Sequence, residues 1–451
     1  VLPTAVQPQS NQREMFVMNV DYFGTAYYAN VLAHEFRHMI EDRYDRNDAD
    51  WEVEGSAVLA EVLNGYPDDA WWRAGQFLDD PDQQLNHWSA DTPDAHYGQG
   101  YLFNHYLYNR LGADLYRAFA TSPADGLLAL DELAAANGQS WDRHSLWLDW
   151  LATLALHDHP QAPADYRLDG IEVDTVAMTQ VDQWPAVFET TVHQYAADTY
   201  ELSGGDDVTL TFRGNPEVPL LDTQPVSGNW LWWSGRANYS NPRLTRSLDL
   251  RGVAQATLTY HVYQDIEQGY DFAYVSLSAD GGHTWQGLAA DNMQGQRPED
   301  DPSGIALTER FYSDRRQQWQ EETIDLTPFS GQVALLRFEV VTDPILTYGG
   351  LALDNIAVPE IGFYDDAETD AGGWTAEGFS RVPAAIPQPW YLQLITFPNG
   401  RPQVTALTLN DDQTLSLPLA LAAKGGRSIV IVAAAAPMTL EPAHYQLEIH
   451  R

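Results

Sequence analysis

A short segment near the start of this sequence has the residue types of a single-metal hydrolytic centre. Residues 34–38 read His-Glu-x-x-His, inside the run 26–44 that contains strong helix formers and neither Gly nor Pro. A spacing of four brings both imidazoles to one helical face, where they can bind one cation. Glu35 then lies beside the metal and can exchange a proton with a reacting water. The segment predicts a zinc site with His34 and His38 as ligands and Glu35 as general base.

A third ligand is expected on the next helix, because catalytic zinc usually takes three protein ligands. The run 51–57 reads Trp-Glu-Val-Glu-Gly-Ser-Ala and opens a second predicted helix. Glu54 is the favoured ligand, since the small residues after it let two helices approach closely. Glu52 would point away from a metal that Glu54 faces. The competing acidic residues are Asp48, Asp50 and Glu52, whereas the remote His157 and His159 are assigned to the end of a structural helix.

Together these two segments resemble the gluzincin metallopeptidases, in which the Glu of a W-x-x-E-G-x-A helix is the third zinc ligand. The resemblance implies that role for Glu54, although the interval from His38 is shorter than in the best-known gluzincins. Residues 97–103, Tyr-Gly-Gln-Gly-Tyr-Leu-Phe, also resemble the following helix of hyicolysin-like and immune inhibitor A-like secreted peptidases. In such sites a Tyr or His donates a hydrogen bond to the oxyanion, which makes His96 and Tyr97 candidates. Packing in a core is the alternative for both.

The composition excludes several classes of partner. Lys and Arg number 24 against 64 Asp and Glu, a balance that repels nucleic acid and anionic lipid. No uncharged apolar stretch is long enough to cross a membrane. The complete absence of cysteine is compatible with a cytosolic protein and with a bacterial secreted enzyme. We expect an extracellular or cell-surface protein whose signal segment is not part of this chain.

The sequence pattern differs between the two parts of the chain. The first third has helical runs, whereas from about residue 186 apolar and polar residues alternate, as in Val208–Phe212. The predicted fold class is α+β multidomain, with a mostly α-helical zincin catalytic part followed by antiparallel β-sandwich or jelly-roll domains. The predicted domains are residues 1–160 (catalytic), 161–185 (connection), 186–224 with 361–451 (a discontinuous β-sandwich), and 225–360 (an inserted jelly roll).

Most of the segment 225–360 resembles the jelly-roll region of immune inhibitor A-like peptidases. The similar stretches include 230–235, 244–250, 265–275 and 278–285. The resemblance implies an accessory sandwich similar to carbohydrate-binding or receptor-type jelly rolls. A calcium site is a further prediction, because hard cations prefer oxygen ligands. Its candidate ligands are Asp265, Glu267, Asp271 and Asp354, with acidic surface loops as the alternative reading.

One expected element is nearly missing. Zinc peptidases of this type place a twisted sheet before the His-Glu-x-x-His helix, and its edge strand pairs with the extended substrate. Only Met15–Val20 has the character of such a strand. We therefore expect the N-terminal sheet to be largely absent from this chain, and an upstream polypeptide to complete it.

The sequence thus predicts a secreted zinc endopeptidase that acts on a protein or peptide substrate. The alternative is a non-catalytic surface or adhesion protein that retains a peptidase-like shell. A carrier of carbohydrate-binding modules is a third hypothesis. Zinc content together with a protease assay separates the first two, and glycan binding by segment 225–360 tests the third.

Overall fold

The computed structural model describes residues 15–44, 48–294, 310–369, 372–421 and 426–451. Contacts within the chain divide it into two compact units. The first comprises residues 1–214, 390–435 and 444–451, and the second comprises residues 215–389 and 436–443. In the described part of the chain, no helix combines the length and apolarity needed to cross a bilayer. The α+β, multidomain prediction with a β-sandwich region is confirmed at this level.

The first unit begins with the helices. They are α1 (Ala26–Tyr44), α2 (Asp50–Leu63), α3 (Asp68–Asp79), α4 (Pro93–Phe119), α5 (Leu127–Ala136) and α6 (Arg143–Leu156). Helix α2 ends where Gly65 adopts a positive φ of 89°, a conformation that glycine takes without strain. Helix α4 is kinked at Gly112, whose φ of 77° and ψ of 163° are not helical.

Close contact between backbones fixes α2 against α4. A Cβ atom at Gly55 would lie 2.4 Å from the carbonyl carbon and oxygen of Gly100, so only glycine fits there. The Asn104 amide donates to the carbonyls of Trp51 and Gly100, at 2.9 Å each. The small residues after Glu54 therefore serve the approach of α2 to α4, whereas the sequence analysis had assigned them to the approach of the first two helices.

The strand predicted at Met15–Val20 is wrong. Residues 15–19 have no regular structure, and Val20–Tyr22 form a short 3-10 helix. The side chain of Asn19 accepts a hydrogen bond from the backbone N–H of Asp21 at 2.9 Å, which stabilises a turn at this point.

The rest of the first unit is built from two mainly antiparallel sheets. Its strands are β1 (Thr179–Val181), β2 (Ala186–Val192), β3 (Ala196–Ser203), β4 (Asp207–Gly214), β18 (Trp390–Thr396), β19 (Gln403–Leu407), β20 (Thr414–Ala420), β21 (Arg427–Ala434) and β22 (Ala443–His450). Their orders are β1-β3-β21-β18-β19, with β1 and β3 parallel, and β2-β22-β4-β20. Buried residues of the first sheet, such as Ile429 and Ile431, share one core with Trp147 and Trp150 of α6.

The second unit packs two antiparallel sheets face to face. Its strands are β5 (Glu217–Pro219), β6 (Trp230–Trp233), β7 (Arg243–Asp249), β8 (Thr257–Asp265), β9 (Phe272–Ser278), β10 (Gln286–Gly287), β11 (Gln320–Asp325), β12 (Val333–Val341), β13 (Gly350–Val358), β14 (Phe363–Asp365), β15 (Thr375–Glu377), β16 (Ser380–Pro383) and β17 (Ala385–Pro387). The orders of these two sheets are β10-β9-β12-β7-β15 and β11-β8-β13-β6-β16, with β14 beside β13. Alternate residues such as Val275, Phe338, Leu258 and Leu353 fill the space between them. Strands β5 and β17 form a separate two-stranded antiparallel sheet.

The domain boundaries proposed from the sequence stay a prediction, as does the jelly-roll topology. Strand β4 pairs with β20 and β22 from the end of the chain. Strand β3 pairs with β21 in the same way.

Candidate metal centre

Three side chains converge where α1 passes α2. His34 and His38 lie one turn apart on α1, and their ring centroids are 4.7 Å from each other. The Nε2 atom of His34 lies 3.2 Å from Oε2 of Glu54, and that of His38 lies 3.6 Å from the same oxygen. One potential ligand atom from each residue falls within 4.8 Å of the others. The structure thus brings together the two histidines of one helix and the favoured carboxylate of the next.

The separations suit a tetrahedral zinc ion. Ligand atoms about 2.0–2.1 Å from a tetrahedral ion lie roughly 3.3 Å from one another, close to the two separations around Glu54. Oε2 of Glu54 is buried and accepts no well-aligned hydrogen bond, although both imidazoles lie in ion-pair range. A donor set of two imidazoles and one carboxylate also occurs in catalytic zinc sites that leave a fourth position open. These residues therefore fit zinc.

The electrostatics of the centre favour an ionised Glu54 beside protonated histidines. Burial by itself would raise the pKa of Glu54, but the adjacent imidazoles of His34 and His38 lower it to about 2. Burial opposes the positive charge of His38, yet the carboxylates of Glu41 and Glu54 raise its pKa to about 9. The pKa of His34 is raised in the same way, by Glu54 and Glu61. Without metal, the carboxylate is thus an anion between two imidazoles that favour the cationic form.

Two further carboxylates contact the far sides of the histidine rings. Oε1 of Glu61 lies 2.7 Å from Nδ1 of His34, and Oε2 of Glu41 lies 3.9 Å from Nδ1 of His38. The sequence analysis missed both. The signal available for Glu61 was its place seven residues, or two helical turns, after Glu54. Nη1 of Arg37 donates a hydrogen bond to Oε2 of Glu41 at 3.2 Å.

The carboxylates considered as alternatives to Glu54 lie outside the cluster formed with the two histidines. The buried carboxylate of Glu52 accepts hydrogen bonds from the backbone N–H groups of Ala49, at 3.1 Å, and Gly126, at 2.6 Å. Glu52 therefore stabilises the N-terminus of α2. Among the described residues, Asp48 and Asp50 are also outside the three-residue cluster.

The two remote histidines have other contacts. His157 lies at the end of α6, with Nε2 3.1 Å from the carbonyl of Asp174. Nδ1 of His159 accepts a hydrogen bond from the N–H of Gln161 at 3.2 Å. Both contacts are local to the segment that follows α6.

Of the two proposed oxyanion donors, Tyr97 lies beside the centre. Its ring centroid is 6.3 Å from that of His34. Burial raises the pKa of its hydroxyl, the charges of Glu54 and Glu35 raise it further, and Arg73 opposes them. The hydroxyl is therefore protonated and able to donate. The solvent-exposed Glu35 is close enough for its charge to act on this tyrosine.

His96 has different neighbours. Its ring packs against Trp88 with centroids 5.5 Å apart, and burial chiefly lowers its pKa to about 4. The imidazole is neutral at ordinary pH. Trp88 also contacts the ring of Tyr97 edge-on, with centroids 4.8 Å apart. The rings of His96 and Tyr97 thus both contact Trp88.

A second cluster lies in the second unit, where the β8–β9 and β12–β13 connections meet. Carboxylate oxygens of Glu267, Asp271 and Asp343 all lie within 4.8 Å of one another. Burial, followed by the charges of neighbouring carboxylates, raises the pKa of Glu267 to about 7. Burial also raises the pKa of Asp271 to about 7. Like charges are thus held together at this point.

Only two of the four predicted calcium ligands belong to this cluster. Asp265 instead accepts a hydrogen bond from Nε of Arg315 at 2.9 Å and another from the N–H of Gly349 at 3.0 Å. Asp354 accepts from the N–H groups of Ser227 and Asn355.

The third member of the cluster, Asp343, was not predicted. Its N–H donates to Asp271 Oδ1 at 3.0 Å across a sequence separation of 72 residues. At that distance along the chain, no local spacing could have indicated it.

Comparison with known proteins adds evidence from the sequence as a whole. Residues 194–384 match a family model described as the immune inhibitor A-like MAM domain. The chain is also 27% identical over 161 residues to the pre-pro-metalloprotease PrtV of Vibrio cholerae serotype O1, equally in strains M66-2 and ATCC 39315 / El Tor Inaba N16961. The aligned stretch is 35% of this chain and spans only 16% of the length of these curated relatives. Both findings relate the chain to immune inhibitor A-like, metallopeptidase-related proteins.

Proposed function

We propose that this protein is a secreted zinc-dependent endopeptidase of the gluzincin type. The observation that carries the proposal is the convergence of His34 and His38 on Oε2 of Glu54, with Nε2 atoms 3.2 and 3.6 Å away. Glu35 follows the first histidine on the same helix, as a general base for hydrolysis requires. The similarity to a metalloprotease supports a peptide or protein substrate.

In this mechanism each residue has one role. A zinc ion held by His34, His38 and Glu54 would supply a Lewis acid and lower the pKa of a water molecule. Glu35 takes the proton from the attacking water and transfers it to the leaving amine. Tyr97 donates its hydroxyl proton in a hydrogen bond to the oxyanion that forms on the scissile carbonyl. Burial and the nearby carboxylate charges raise the pKa of Tyr97, so its hydroxyl is protonated and can donate this hydrogen bond.

Glu35→Gln tests the assignment. The amide keeps the size of the side chain but cannot accept a proton, so casein hydrolysis should fall by roughly 10²- to 10⁴-fold. Bound zinc, measured by atomic absorption, should stay at the level of the unaltered chain. Glu132→Gln, which removes the same charge from an exposed position on α5, is the matched control. Hydrolysis at the normal rate by Glu35→Gln would exclude Glu35 as the base.

The proposal includes an additional polypeptide on α1. Leu32, Phe36 and Ile40 form a row along this helix and are 37%, 50% and 40% exposed, and Phe16 lies beside them. Large apolar side chains in such a row are typical of a face that packs against another element. An upstream segment that completes the catalytic sheet would cover this row and supply the strand that binds substrate. Phe36→Ser should then leave zinc binding intact and weaken association with such a segment, whereas an unaffected association would exclude this face.

The alternative is a non-catalytic surface or adhesion protein. The observation that favours it is the family match to residues 194–384, which lies outside the metal centre. A chain that binds zinc at one equivalent and cleaves no casein, even with an upstream segment added, would support this alternative. Glycan binding by the second unit of the intact chain would favour a carrier of carbohydrate-binding modules.

Calcium is the second cofactor of the proposal, with a revised ligand set. The revised set keeps Glu267 and Asp271 and adds Asp343, because carboxylate oxygens of these three residues lie within 4.8 Å of one another. Oxygen ligands of this kind suit a hard cation, whose charge would offset the repulsion among them. Calorimetric titration with CaCl₂ tests this, and the absence of any heat of binding would exclude the site.

A further inference from the structure

The two zinc-facing histidines have unequal partners on their far sides. Nδ1 of His34 lies 2.7 Å from Oε1 of Glu61, whose side chain is only 3% exposed. A hydrogen bond of this length holds the imidazole in one orientation, with Nε2 facing Glu54. Glu61 therefore sets the orientation of His34.

The partner of His38 is shared with a cation. Oε2 of Glu41 is 3.9 Å from Nδ1 of His38, beyond hydrogen-bond distance, but 3.2 Å from Nη1 of Arg37. The carboxylate is buried, with its side chain only 5% exposed, so solvent screens this competition little. The other terminal nitrogen of the Arg37 guanidinium group, Nη2, donates to the carbonyl of Ala120 at 3.5 Å.

We propose that Glu61 and Glu41 are positioning residues of unequal strength, and that Arg37 weakens metal binding by drawing Glu41 away from His38. The inference rests on the proposed zinc site and deepens it. His34 is then the firmly oriented ligand, and His38 is the more loosely oriented one. Arg37 also adds a positive charge close to the cation, which opposes binding directly.

Zinc affinity of purified full-length variants tests the inference. Kd is measured at constant pH by competition with a chromophoric chelator, and the melting midpoint of each metal-free variant reports its fold. Glu61→Gln should bind zinc about 10- to 100-fold more weakly, as expected when such a partner is removed. Glu41→Gln should lose less than about tenfold, because Glu41 makes no direct hydrogen bond to His38. Arg37→Met should bind zinc at least as tightly as the unaltered chain.

Matched substitutions separate these effects from general changes of charge. Glu132→Gln removes one negative charge from exposed α5, and Arg117→Met removes one positive charge from a side chain 75% exposed. Neither should change Kd. Should Arg37→Met unfold, Arg37→Gln removes the charge while keeping a donor for Glu41.

Two results would overturn the inference. One is an equal or larger loss of affinity in Glu41→Gln than in Glu61→Gln, and the other is weaker zinc binding after the loss of the Arg37 charge. Failure of the zinc site itself looks different, because the unaltered chain would then bind no zinc at one equivalent. Failure of the proposed hydrolysis would leave zinc binding and the order of the Kd values unchanged. Tight binding by the unaltered chain with no change in Glu61→Gln would remove the positioning role alone.

Discussion

The two clusters of potential metal ligands among the described residues are built on opposite principles. In the helical part, His34 and His38 place nitrogen atoms around one carboxylate, and opposite charges attract even without metal. In the β-sandwich unit, Glu267, Asp271 and Asp343 place three carboxylates together, and each raises the free energy of its ionised neighbours. The first cluster is thus organised before a cation arrives. The second is strained until a cation or protons neutralise it.

The difference also separates the cations that each cluster suits. Imidazole nitrogen is a preferred ligand of zinc, and helices hold the rings at fixed spacing. Carboxylate oxygens on loops between strands suit calcium, which accepts more ligands and more varied geometry. The pair of clusters therefore predicts two independent metal dependences within one chain.

The largest change in metal binding is expected for Glu54→Ala. Removing the shared carboxylate leaves two imidazoles as the only ligands, and zinc affinity should fall by more than about 100-fold. Calcium binding, followed by calorimetry in the same preparation, should not change. A parallel loss of calcium affinity would show that the two clusters are coupled, against the comparison drawn above.

Tyr97→Phe sharpens the description of the helical cluster. Loss of one oxyanion donor should lower kcat by about 10²- to 10³-fold, since the hydroxyl acts when charge develops on the carbonyl. Zinc affinity and KM should stay within about twofold of their original values, because Tyr97 binds neither the metal nor the resting substrate. Steady-state kinetics on a fluorogenic peptide measures all of this, and His96→Phe provides the comparison. A larger loss of kcat in His96→Phe would exchange the two assignments.

A smaller effect is expected for Asp343→Asn in the acidic cluster. Loss of one of three carboxylates should weaken calcium binding by roughly tenfold or more, since affinity follows the number of charged ligands. Without calcium, the melting midpoint should stay the same or rise by a few degrees, because the repulsion on Glu267 and Asp271 is relieved. Asp354→Asn is the matched control, since that carboxylate accepts backbone hydrogen bonds instead. Equal calcium affinity in Asp343→Asn and the unaltered chain would contradict the ligand set.

The sequence predicted more of the helical cluster than of the acidic one. The pattern at residues 34–38 is contained in one helix, and helical periodicity alone brings His34 and His38 to one face. The predicted helix of residues 26–44 also has the bounds that the structure gives it. Local information was sufficient for this helix and for its pair of histidines. Glu54 was favoured over other nearby carboxylates with the help of the resemblance to gluzincins, since the small residues after it pack against α4.

Two of the four predicted calcium ligands lie outside the acidic cluster, and the reason is physical. Asp265, Glu267 and Asp271 look alike in sequence, but Arg315 and the N–H of Gly349 occupy the carboxylate of Asp265. Asp343 reaches the cluster from the β12–β13 connection, 72 residues after Asp271. The strand at residues 15–20 failed similarly, because a strand requires a partner that the sequence pattern cannot supply.

By itself the sequence indicated the side chains of the helical centre: two imidazoles, Glu35 beside them, and a carboxylate on the next helix. Only the tertiary structure decided which buried partners those ligands have, namely Glu61 alone for His34, and Glu41 shared with Arg37 for His38. It also decided which carboxylates of a very acidic chain come together. Spacing along a helix is fixed by backbone geometry, whereas contacts between elements depend on how their side chains pack.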